Sequence, residues 1–412
     1  MSSKRIVVTG IGATSPLGGT ARETWTALLA GESGARRLEQ EWVAKWEIPI
    51  TFAAQAKVPS SDVLERIETK RLDPSSQFAL TAAREAWADA GSPEVVPERF
   101  GVDWATGIGG VWTLLDAWDT LRERGPRRVL PMTVPMLMPN GPAAAIEMSL
   151  GARAGARTVV SACASSTESI ANAYDHLQAG YADIIIAGGS EAAIHPLPIA
   201  SFAAMQALSK RNDDPATASR PYDVTRDGFV LGEGGAAVVL ETEEHALARG
   251  ARIYAEVIGG AVTSDAYHIT APDPEGSAAA RAMIAAVEGF GYSRNDVAHI
   301  NAHATSTPVG DIAEFKALRQ VFGDSLAAIP VSATKASTGH LLGGAGGIEA
   351  IFTILALHER MAPPTINLTE QDPEIDMDVV TAPRTLPDGD LVAISNSFGF
   401  GGHNAVVAFK TA

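Results

Sequence analysis

The chain has one cysteine, Cys163, and its position suits nucleophilic chemistry. It follows a β-branched run and precedes a stretch of small residues typical of a helix, so it lies at a predicted strand-to-helix junction. Free N–H groups and the positive end of a helix dipole stabilise the nucleophilic thiolate at such a junction. A free cysteine is also among the residue types most often buried as a small apolar group. Taken alone, the residue supports both interpretations equally.

Two of the nine histidines occupy positions that indicate a role in catalysis. His303 lies where a predicted strand gives way to a segment rich in hydroxyls, and His340 follows Gly339 at a predicted helix start. A helix N-terminus disfavours the imidazolium and lowers the pKa of a histidine there. A neutral imidazole can donate Nε2–H to the oxyanion that forms when a carbonyl becomes an enolate. No His-Glu-x-x-His pattern or second cysteine accompanies these histidines, so the sequence predicts no catalytic metal.

A lysine and a glutamate close to His340 are candidates for a buried ion pair. Lys335 lies in an uncharged stretch, and Glu349 lies in the apolar segment that follows His340. A charge buried there requires a partner, so we predict a Lys335–Glu349 pair. The alternative is that Lys335 reaches solvent.

Glycines and aromatic residues are concentrated between Ser395 and Asn404, where Phe398 and Phe400 flank Gly399. We predict a loop, because glycine permits close backbone approach and unusual φ angles. The two phenylalanines would gate an apolar pocket. An ordinary tight turn is the alternative, although it would leave both rings exposed.

Composition excludes several classes of protein. The chain has 412 residues, of which 46% are apolar and 19% charged, which permits a sizeable core and excludes global disorder. Its 32 basic and 48 acidic residues give a net charge of −16, which argues against a general nucleic-acid binder. No apolar run approaches a membrane span, and the N-terminal residues are not typical of a signal peptide, so we predict a soluble, cytoplasmic protein. Neither a complete dinucleotide fingerprint nor a Walker-type motif is present, so no nucleotide site is predicted.

Short β-branched runs alternate with alanine-rich stretches, which indicates an α/β protein with a buried mixed sheet. Two parts of the chain are alike in outline. In each, a reactive residue precedes a helix that is apolar nearly all round: 164–179 after Cys163, and 341–357 after His340. Such helices are typically buried. We therefore expect a duplicated fold in which two buried helices meet near a central site.

Several segments of the chain combine into a more specific pattern. They are Val159–Ser166, Arg220–Gly234, Asn301–Pro308, Ser332–His340 and Asn396–Gly402. In this order they resemble the signature segments of the β-ketoacyl-acyl carrier protein synthases, and most closely the elongating synthase II type of actinobacteria. The resemblance covers essentially the whole chain. It implies a thiolase fold, with two similar βαβαβαββ halves in a five-layered αβαβα arrangement, and a homodimer. Residues 1–250 would carry the cysteine and surface insertions, and residues 251–412 both histidines and the phenylalanine gate.

The reaction that the resemblance implies is a decarboxylative Claisen condensation in fatty acid elongation. Cys163 would carry the acyl chain, and His303 and His340 would bind the malonyl thioester carbonyl. The N–H groups of Cys163 and Phe400 would form the oxyanion hole, and the pair of Lys335 and Glu349 would support the site. Other implied substrate contacts are Thr270, Thr305 and Thr307 for the phosphopantetheine arm, Ile108 and Phe202 for the acyl pocket, and Phe398 and Gly399 beside the gate. The enzyme would need no cofactor of its own, because phosphopantetheine arrives on the carrier protein.

Acyl carrier protein is the implied partner, and it is acidic like this chain. A local basic patch must therefore overcome the repulsion. The candidates are Arg66, Lys70, Arg71, Arg122, Arg124, Arg127, Arg128, Lys210 and Arg211. Scattered solvated charges are the alternative, but the stretch from Arg124 to Arg128 is the most basic in the chain.

Two departures from the family pattern and three other functions bear on this interpretation. Ala304 and Ala336 stand where the family often has glycine and serine, which affects local loop geometry.

A catalytic ketosynthase of a polyketide or specialised lipid pathway is the main alternative function. A non-catalytic chain-length partner subunit typically lacks the cysteine nucleophile. A degradative thiolase uses a second cysteine, which this chain lacks.

Overall fold

The computed structural model describes residues 4–412, and a ten-stranded sheet dominates them. Its strands are β1 (Ile6–Thr14), β2 (Phe100–Ala105), β3 (Ala156–Val159), β4 (Ile184–Glu191), β5 (Gly234–Thr242), β6 (Ala255–Ser264), β7 (Val297–Asn301), β8 (Val331–Ser332), β9 (Val392–Gly399) and β10 (His403–Thr411). Strands β1, β2, β4 and β5 are buried at every residue. Burial of successive residues means that both faces of the sheet are covered.

Six helices cover the sheet. They are α1 (Pro74–Asp89), α2 (Gly141–Leu150), α3 (Ser165–Gln178), α4 (Ser277–Glu288), α5 (Pro308–Phe322) and α6 (Ala345–Glu359). Connections and insertions contain the helices Ala21–Leu29, Glu41–Lys45, Arg66–Arg71, Val111–Arg124, Thr133–Leu137, Pro196–Ala204, Glu243–Ala248 and Lys335–Thr338. They also contain two short strand pairs, Arg36–Arg37 with Phe52–Ala53 and Met361–Ala362 with Arg384–Thr385. Within residues 4–412, no helix is long and apolar enough to span a membrane.

The topology of the sheet is an internal repeat. The elements β1-α1-β2-α2-β3-α3-β4-β5 are followed by β6-α4-β7-α5-β8-α6-β9-β10, which is βαβαβαββ twice. The strand order across the sheet is β8-β7-β9-β10-β6-β1-β5-β4-β2-β3. Each half therefore has the same order and the same parallel and antiparallel pairings. Strands β1 and β6 pair antiparallel, with Ile6 opposite Val257, and join the halves. This topology confirms the predicted duplication.

The helices form three layers that alternate with the two halves of the sheet. Helices α1 and α2 cover the first half and α4 and α5 the second, while α3 and α6 contact each other and strands of both halves. Every residue of α6 from Ala345 to Leu357 is buried, as predicted. Helix α3 differs, because Asp175 is exposed on one side. The arrangement is the expected αβαβα.

Two local predictions about the site are wrong. The segment from Ser395 to Asn404 is not a loop: strand β9 continues to Gly399, a turn follows, and β10 begins at His403, which pairs with Gly399. Pairing with the neighbouring strand outweighs the turn-forming tendency of the glycines. His340 does not begin helix α6 either. A 3₁₀ turn over Leu342–Gly344 intervenes, and α6 begins at Ala345.

Candidate active site

A largely apolar cavity of about 520 Å³ is lined by residues of both halves. Most of the residues predicted for catalysis and substrate binding line it: Ile108, Cys163, Phe202, Thr270, His303, Thr305, Thr307, His340, Phe398, Gly399 and Phe400. An apolar cavity with a few convergent polar groups is the usual form of a site for a small or extended ligand.

Cys163 lies in a 3₁₀ turn, Ala162–Ala164, between β3 and α3. The preceding residue, Ala162, has φ of +50°, in the left-handed region that costs a non-glycine residue energy. The Ser165 hydroxyl holds this backbone in place, because it accepts from the Ser161 N–H at 2.9 Å and donates to the Ala162 carbonyl at 2.6 Å. Cys163 therefore lies on a strained turn that Ser165, at the start of α3, stabilises.

The end of β9 and the turn after it lie close to Cys163. A Cβ atom on Gly399 would lie 2.7 Å from the Ser161 carbonyl oxygen and 3.1 Å from the Cys163 nitrogen, so only glycine fits there. The backbone N–H of the next residue, Phe400, lies near enough to the Cys163 sulfur to lower the pKa of the thiol. The N–H groups of Cys163 and Phe400 thus lie beside the same sulfur.

The Cys163 thiol is protonated in the resting site. Burial raises its pKa to about 11, although the Lys335 ammonium and the Phe400 N–H act in the opposite direction. The carboxylates of Glu191 and Glu349 raise the pKa further. The expectation that the helix start lowers the pKa of Cys163 is therefore wrong, because the effect of burial outweighs that of the helix N-terminus.

This raised pKa predicts how alkylation of the thiol depends on pH. The thiolate is the reactive form, so the rate of iodoacetamide addition should rise about tenfold per pH unit from pH 7 to 10. Glutathione, with an ordinary thiol pKa of about 8.5, should level off within that range. Mass spectrometry of the intact chain measures the rate, since Cys163 is the only thiol. A plateau below pH 8 would contradict the raised pKa.

Hydrogen bonds assign the same tautomer to both histidines. Nδ1 of His340 accepts from the Leu342 N–H at 3.3 Å, and Nδ1 of His303 lies 3.3 Å from the Lys335 ammonium, which can only donate. In a neutral ring the proton must then be on Nε2. Nε2 of His340 has no partner among the described residues. Both rings line the cavity, with centroids 5.4 Å apart.

Both histidines are neutral at physiological pH. Burial lowers the pKa of each well below its ordinary value, and the nearby Lys335 ammonium lowers it further. The sequence predicts neutral imidazoles, but the cause it offers for His340 is wrong, since that residue precedes the helix by several residues.

A buried lysine and two buried carboxylates hold His303 in place. Lys335 is 1% exposed, forms an ion pair with Glu349, and donates to the His303 carbonyl oxygen at 2.7 Å. The Glu314 carboxylate accepts from the His303 N–H at 2.9 Å and from the Ala304 N–H at 2.7 Å. The Lys335–Glu349 pair thus has the contact that the sequence predicts, and Glu314 adds a second support.

The lining of the cavity includes an apolar group and a polar group of residues. In the apolar group, the ring centroids of Phe202 and His340 each lie 5.4 Å from that of Phe229, and Ile108 also lines the cavity. In the polar group, the hydroxyls of Thr305 and Thr307 are 3.0 Å apart. Thr270 is also in the lining, with its hydroxyl 3.3 Å from His268 Nδ1. The apolar group suits a hydrocarbon chain and the polar group a polar arm.

Sequence reasoning missed three residues at the site: Phe229, Glu314 and Glu191. Phe229 lies within the Arg220–Gly234 segment, whose residues carry the resemblance but give no other indication of a cavity. Glu314 lies on the same buried face of α5 as Asp311. Two acidic residues on a face that is otherwise apolar are a sequence signal for a functional site. Glu191 ends the uncharged run of β4 and is fully buried.

The predicted docking residues lie on exposed parts of the first half. Arg66, Lys70 and Arg71 are exposed on the helix Arg66–Arg71. The second group is exposed at the end of the helix Val111–Arg124 and in the turn after it: Arg122, Arg124, Arg127 and Arg128. Lys210 is exposed, whereas Arg211 is half-buried.

Among residues 4–412, no group of three His, Cys, Asp or Glu side chains is placed to hold a metal ion.

A duplicated βαβαβαββ core in an αβαβα arrangement defines the thiolase-fold acyltransferases, and this structure has that fold. Residues 3–246 match the model of the β-ketoacyl synthase N-terminal domain, and residues 254–369 match that of the C-terminal domain. The chain belongs to the β-ketoacyl synthase family.

Relatives with curated names are similar over nearly the whole chain. The 3-oxoacyl-[acyl-carrier-protein] synthase 2 of Mycobacterium tuberculosis (strain H37Rv) is 45% identical over 98% of this chain and 96% of its own. The enzyme of the same name from Staphylococcus aureus (strain COL) is 45% identical over 99% and 98%.

Two solved structures share the fold at full length. One is a ketosynthase of a type II polyketide synthase, in complex with its acyl-carrier protein; it has a TM-score of 0.92 and 32% identity, covering 100% of both chains. The other is a β-ketoacyl synthase from Burkholderia phymatum, with a TM-score of 0.90, 35% identity, and coverage of 99% of this chain and 100% of that one.

Proposed function

We propose that the chain condenses an acyl group, carried on Cys163, with malonyl-acyl carrier protein to give β-ketoacyl-acyl carrier protein in fatty acid elongation. The observation that carries this proposal is one cavity in which a buried thiol lies with two neutral histidines, both protonated on Nε2. Incubation with an acyl and a malonyl carrier protein, followed by mass spectrometry of the carrier, tests it: the product should be two carbons longer and β-keto.

Acyl transfer to Cys163 is the first step. The sulfur attacks the thioester carbonyl of the acyl carrier protein, and the N–H groups of Cys163 and Phe400 stabilise the oxyanion. The new carbon–sulfur bond forms as the bond to the pantetheine sulfur breaks. The cysteine proton ends on that departing sulfur, so the thiol need not be ionised in the resting enzyme.

Decarboxylation and condensation follow in the same cavity. The malonyl thioester carbonyl accepts from Nε2–H of His303 and His340, which stabilise the enolate formed as the bond to the carboxylate breaks and CO₂ leaves. The enolate carbon attacks the acyl carbon on Cys163, and that carbon–sulfur bond breaks. The released thiolate takes a proton from water. Lys335, Glu349 and Glu314 act by keeping His303 in place.

We assign the apolar and the polar lining residues to the two parts of the substrate. Ile108 and Phe202 would surround the acyl chain, and Thr270, Thr305 and Thr307 would bind the phosphopantetheine arm. Phe398, Gly399 and Phe400 would form the gate between them. Phosphopantetheine would arrive on the acyl carrier protein, so no cofactor of the enzyme itself is proposed.

Docking of the carrier protein is proposed to use the exposed basic residues. Reversing the charge of Arg127 and Arg128 to glutamate should raise the KM for acyl carrier substrate about tenfold at low salt, because steering between exposed charges is lost. It should also flatten the salt dependence, since screening acts over roughly 8–10 Å at moderate ionic strength. Turnover of a small pantetheine thioester should stay within twofold. Steady-state kinetics with both substrates measure these effects.

A matched control reverses two exposed cations elsewhere, Lys45 and Arg281, to glutamate. This variant has the same net charge and should keep the wild-type KM. Equal damage to carrier and pantetheine substrates in the Arg127 and Arg128 variant would place the docking surface elsewhere.

We also propose a homodimer. Large apolar residues are exposed along residues 114–148: Leu114, Trp118, Leu121, Leu130, Met132, Val134, Met138 and Met148. The neighbouring strand β3 is the last of the sheet, so one edge of its backbone is open. Exposed apolar surface beside an open edge is typical of an interface between subunits.

We propose a domain division at 250/251, between β5 and β6. We also propose a cytoplasmic location, where a reducing environment keeps Cys163 free.

The alternative function is condensation in a polyketide or specialised lipid pathway. The observation that favours it is the 0.92 TM-score with a polyketide ketosynthase. Saturated acyl carriers that are elongated faster than β-ketoacyl ones support fatty acid elongation, and the opposite preference supports the alternative.

A further inference from the structure

The carboxylate of Glu191 is fully buried at the junction of two turns beside the active site. It accepts from the Gly107 N–H at 2.7 Å, the Gly343 N–H at 3.1 Å, the Thr106 hydroxyl at 3.1 Å and the Ile108 N–H at 3.3 Å. Within residues 4–412 it forms no ion pair with a lysine or arginine. Burial raises its pKa to about 7. A buried carboxylate without a cation is costly, which indicates a purpose other than stability.

Neither of the two glycines that contact Glu191 has room for a side chain. A Cβ atom on Gly343 would lie 2.1 Å from the Gly107 nitrogen and 2.9 Å from Glu191 Oε2. A Cβ atom on Gly107 would lie 2.6 Å from the same oxygen. The two turns are therefore in direct backbone contact, and Glu191 links their N–H groups.

The internal repeat explains why an anion fits there. Gly343 in the turn before α6 is equivalent to Cys163 in the turn before α3. The residues that precede them, Leu342 and Ala162, both have a positive φ, +47° and +50°. Glu191 ends β4 as Gly399 ends β9. The Gly343 N–H donates to the carboxylate as the equivalent Cys163 N–H would donate to an oxyanion. Glu191 thus occupies, in the first half of the repeat, the place equivalent to the proposed oxyanion site at Cys163.

The turns that Glu191 links carry side chains of the cavity wall. Ile108 provides one of the donor N–H groups, and Leu342 precedes the residue that provides another. Both side chains line the cavity. We propose that Glu191 is a positioning residue that fixes the wall formed by Ile108 and Leu342, and thereby sets how well long acyl chains, as opposed to short ones, transfer to Cys163. This inference rests on the proposed function.

Glu191→Gln tests the inference, because the amide keeps the size of the side chain but replaces one acceptor oxygen with a donor. At least one backbone N–H then loses its acceptor, and the wall is no longer fixed. For the longest acyl-pantetheine thioester that the wild-type enzyme transfers, kcat/KM of acylation should fall about tenfold. Malonyl decarboxylation should stay within twofold. Acetyl transfer should not fall, because the acetyl group does not reach the wall and loss of the Glu191 charge favours ionisation of Cys163. Mass spectrometry of Cys163 acylation measures both chain lengths.

Glu85→Gln is the matched control. Glu85 is a half-buried carboxylate whose pKa burial also raises to about 7, and it accepts from the Ala13 and Ala21 N–H groups, away from the cavity. This variant should keep the wild-type ratio of long-chain to acetyl transfer. An unchanged ratio in Glu191→Gln, or the same change in both variants, overturns the inference.

Thr106 provides a second test if Glu191→Gln does not fold. Its hydroxyl donates to Glu191 and accepts from the Gly109 N–H at 3.0 Å. Thr106→Val should lower the ratio of long-chain to acetyl transfer, and Thr106→Ser, which retains the hydroxyl, should restore it. Equal ratios in these two variants overturn the inference. A wild-type enzyme that accepts no acyl group on Cys163 refutes the proposed function instead.

Discussion

Cys163→Ala should form no β-ketoacyl product, a loss of about 10⁴–10⁶-fold, because the acyl chain then has no covalent carrier. Cys163→Gln should also fail to condense, yet it should decarboxylate malonyl-acyl carrier protein. Its side-chain amide imitates the acylated cysteine, and the Nε2–H donors of His303 and His340 remain in place. The readout is mass spectrometry of the carrier protein, which separates β-ketoacyl, acetyl and malonyl forms.

The double variant Cys163→Gln with His303→Ala is the control for this experiment. It should lose the decarboxylation that the single Gln variant retains, which assigns that activity to the histidines. Condensation by Cys163→Ala would refute the nucleophile, and one alkylation by iodoacetamide that left elongation intact would do the same.

His303→Ala and His340→Ala should each lower malonyl decarboxylation by on the order of 10²–10³-fold, since each removes one donor to the enolate oxygen. Cys163 should still accept an acyl group, because the oxyanion hole for that step consists of backbone N–H groups. The two readouts separate a lost donor from a damaged fold. Acetyl carrier formed from malonyl carrier gives the first, and acylated Cys163 gives the second.

His358→Ala is a matched control, because His358 is exposed near the end of α6 and does not line the cavity. It should retain both activities. Decarboxylation at the wild-type rate in either His303→Ala or His340→Ala would contradict the role assigned here.

The sequence indicates most of the fold and the reacting groups, for identifiable reasons. Helix α6 is predictable because its residues are apolar on every side, and burial follows from that. Cys163, His303 and His340 are recognisable because each stands among small or uncharged residues at the end of an element. The end of strand β4 is harder to predict, because Gly188 to Glu191 lack β-branched side chains and are held in the strand by pairing with β5.

Other features of the site depend on contacts between distant segments. The pKa of Cys163 rises because the thiol is buried in the assembled structure, and nothing within its own segment indicates this. The tautomer of His303 depends on Lys335, and its backbone on Glu314, which belong to separate elements. Sequence patterns report local preferences, whereas these properties belong to the assembled cavity.

The duplicated sheet also constrains how the chain acquires its structure. Helix α6 is buried on every side from Ala345 to Leu357, and α3 packs beside it between strands of both halves. Neither half can therefore complete its own apolar core, and the repeat should fold and unfold as one cooperative unit rather than as two modules. Each strand has an equivalent strand in the other half of the repeat. In a partly folded chain, a strand can therefore pair with the neighbours of its equivalent. The same repeat that brings Cys163 and His340 to one cavity thus creates the wrong pairings that folding must avoid.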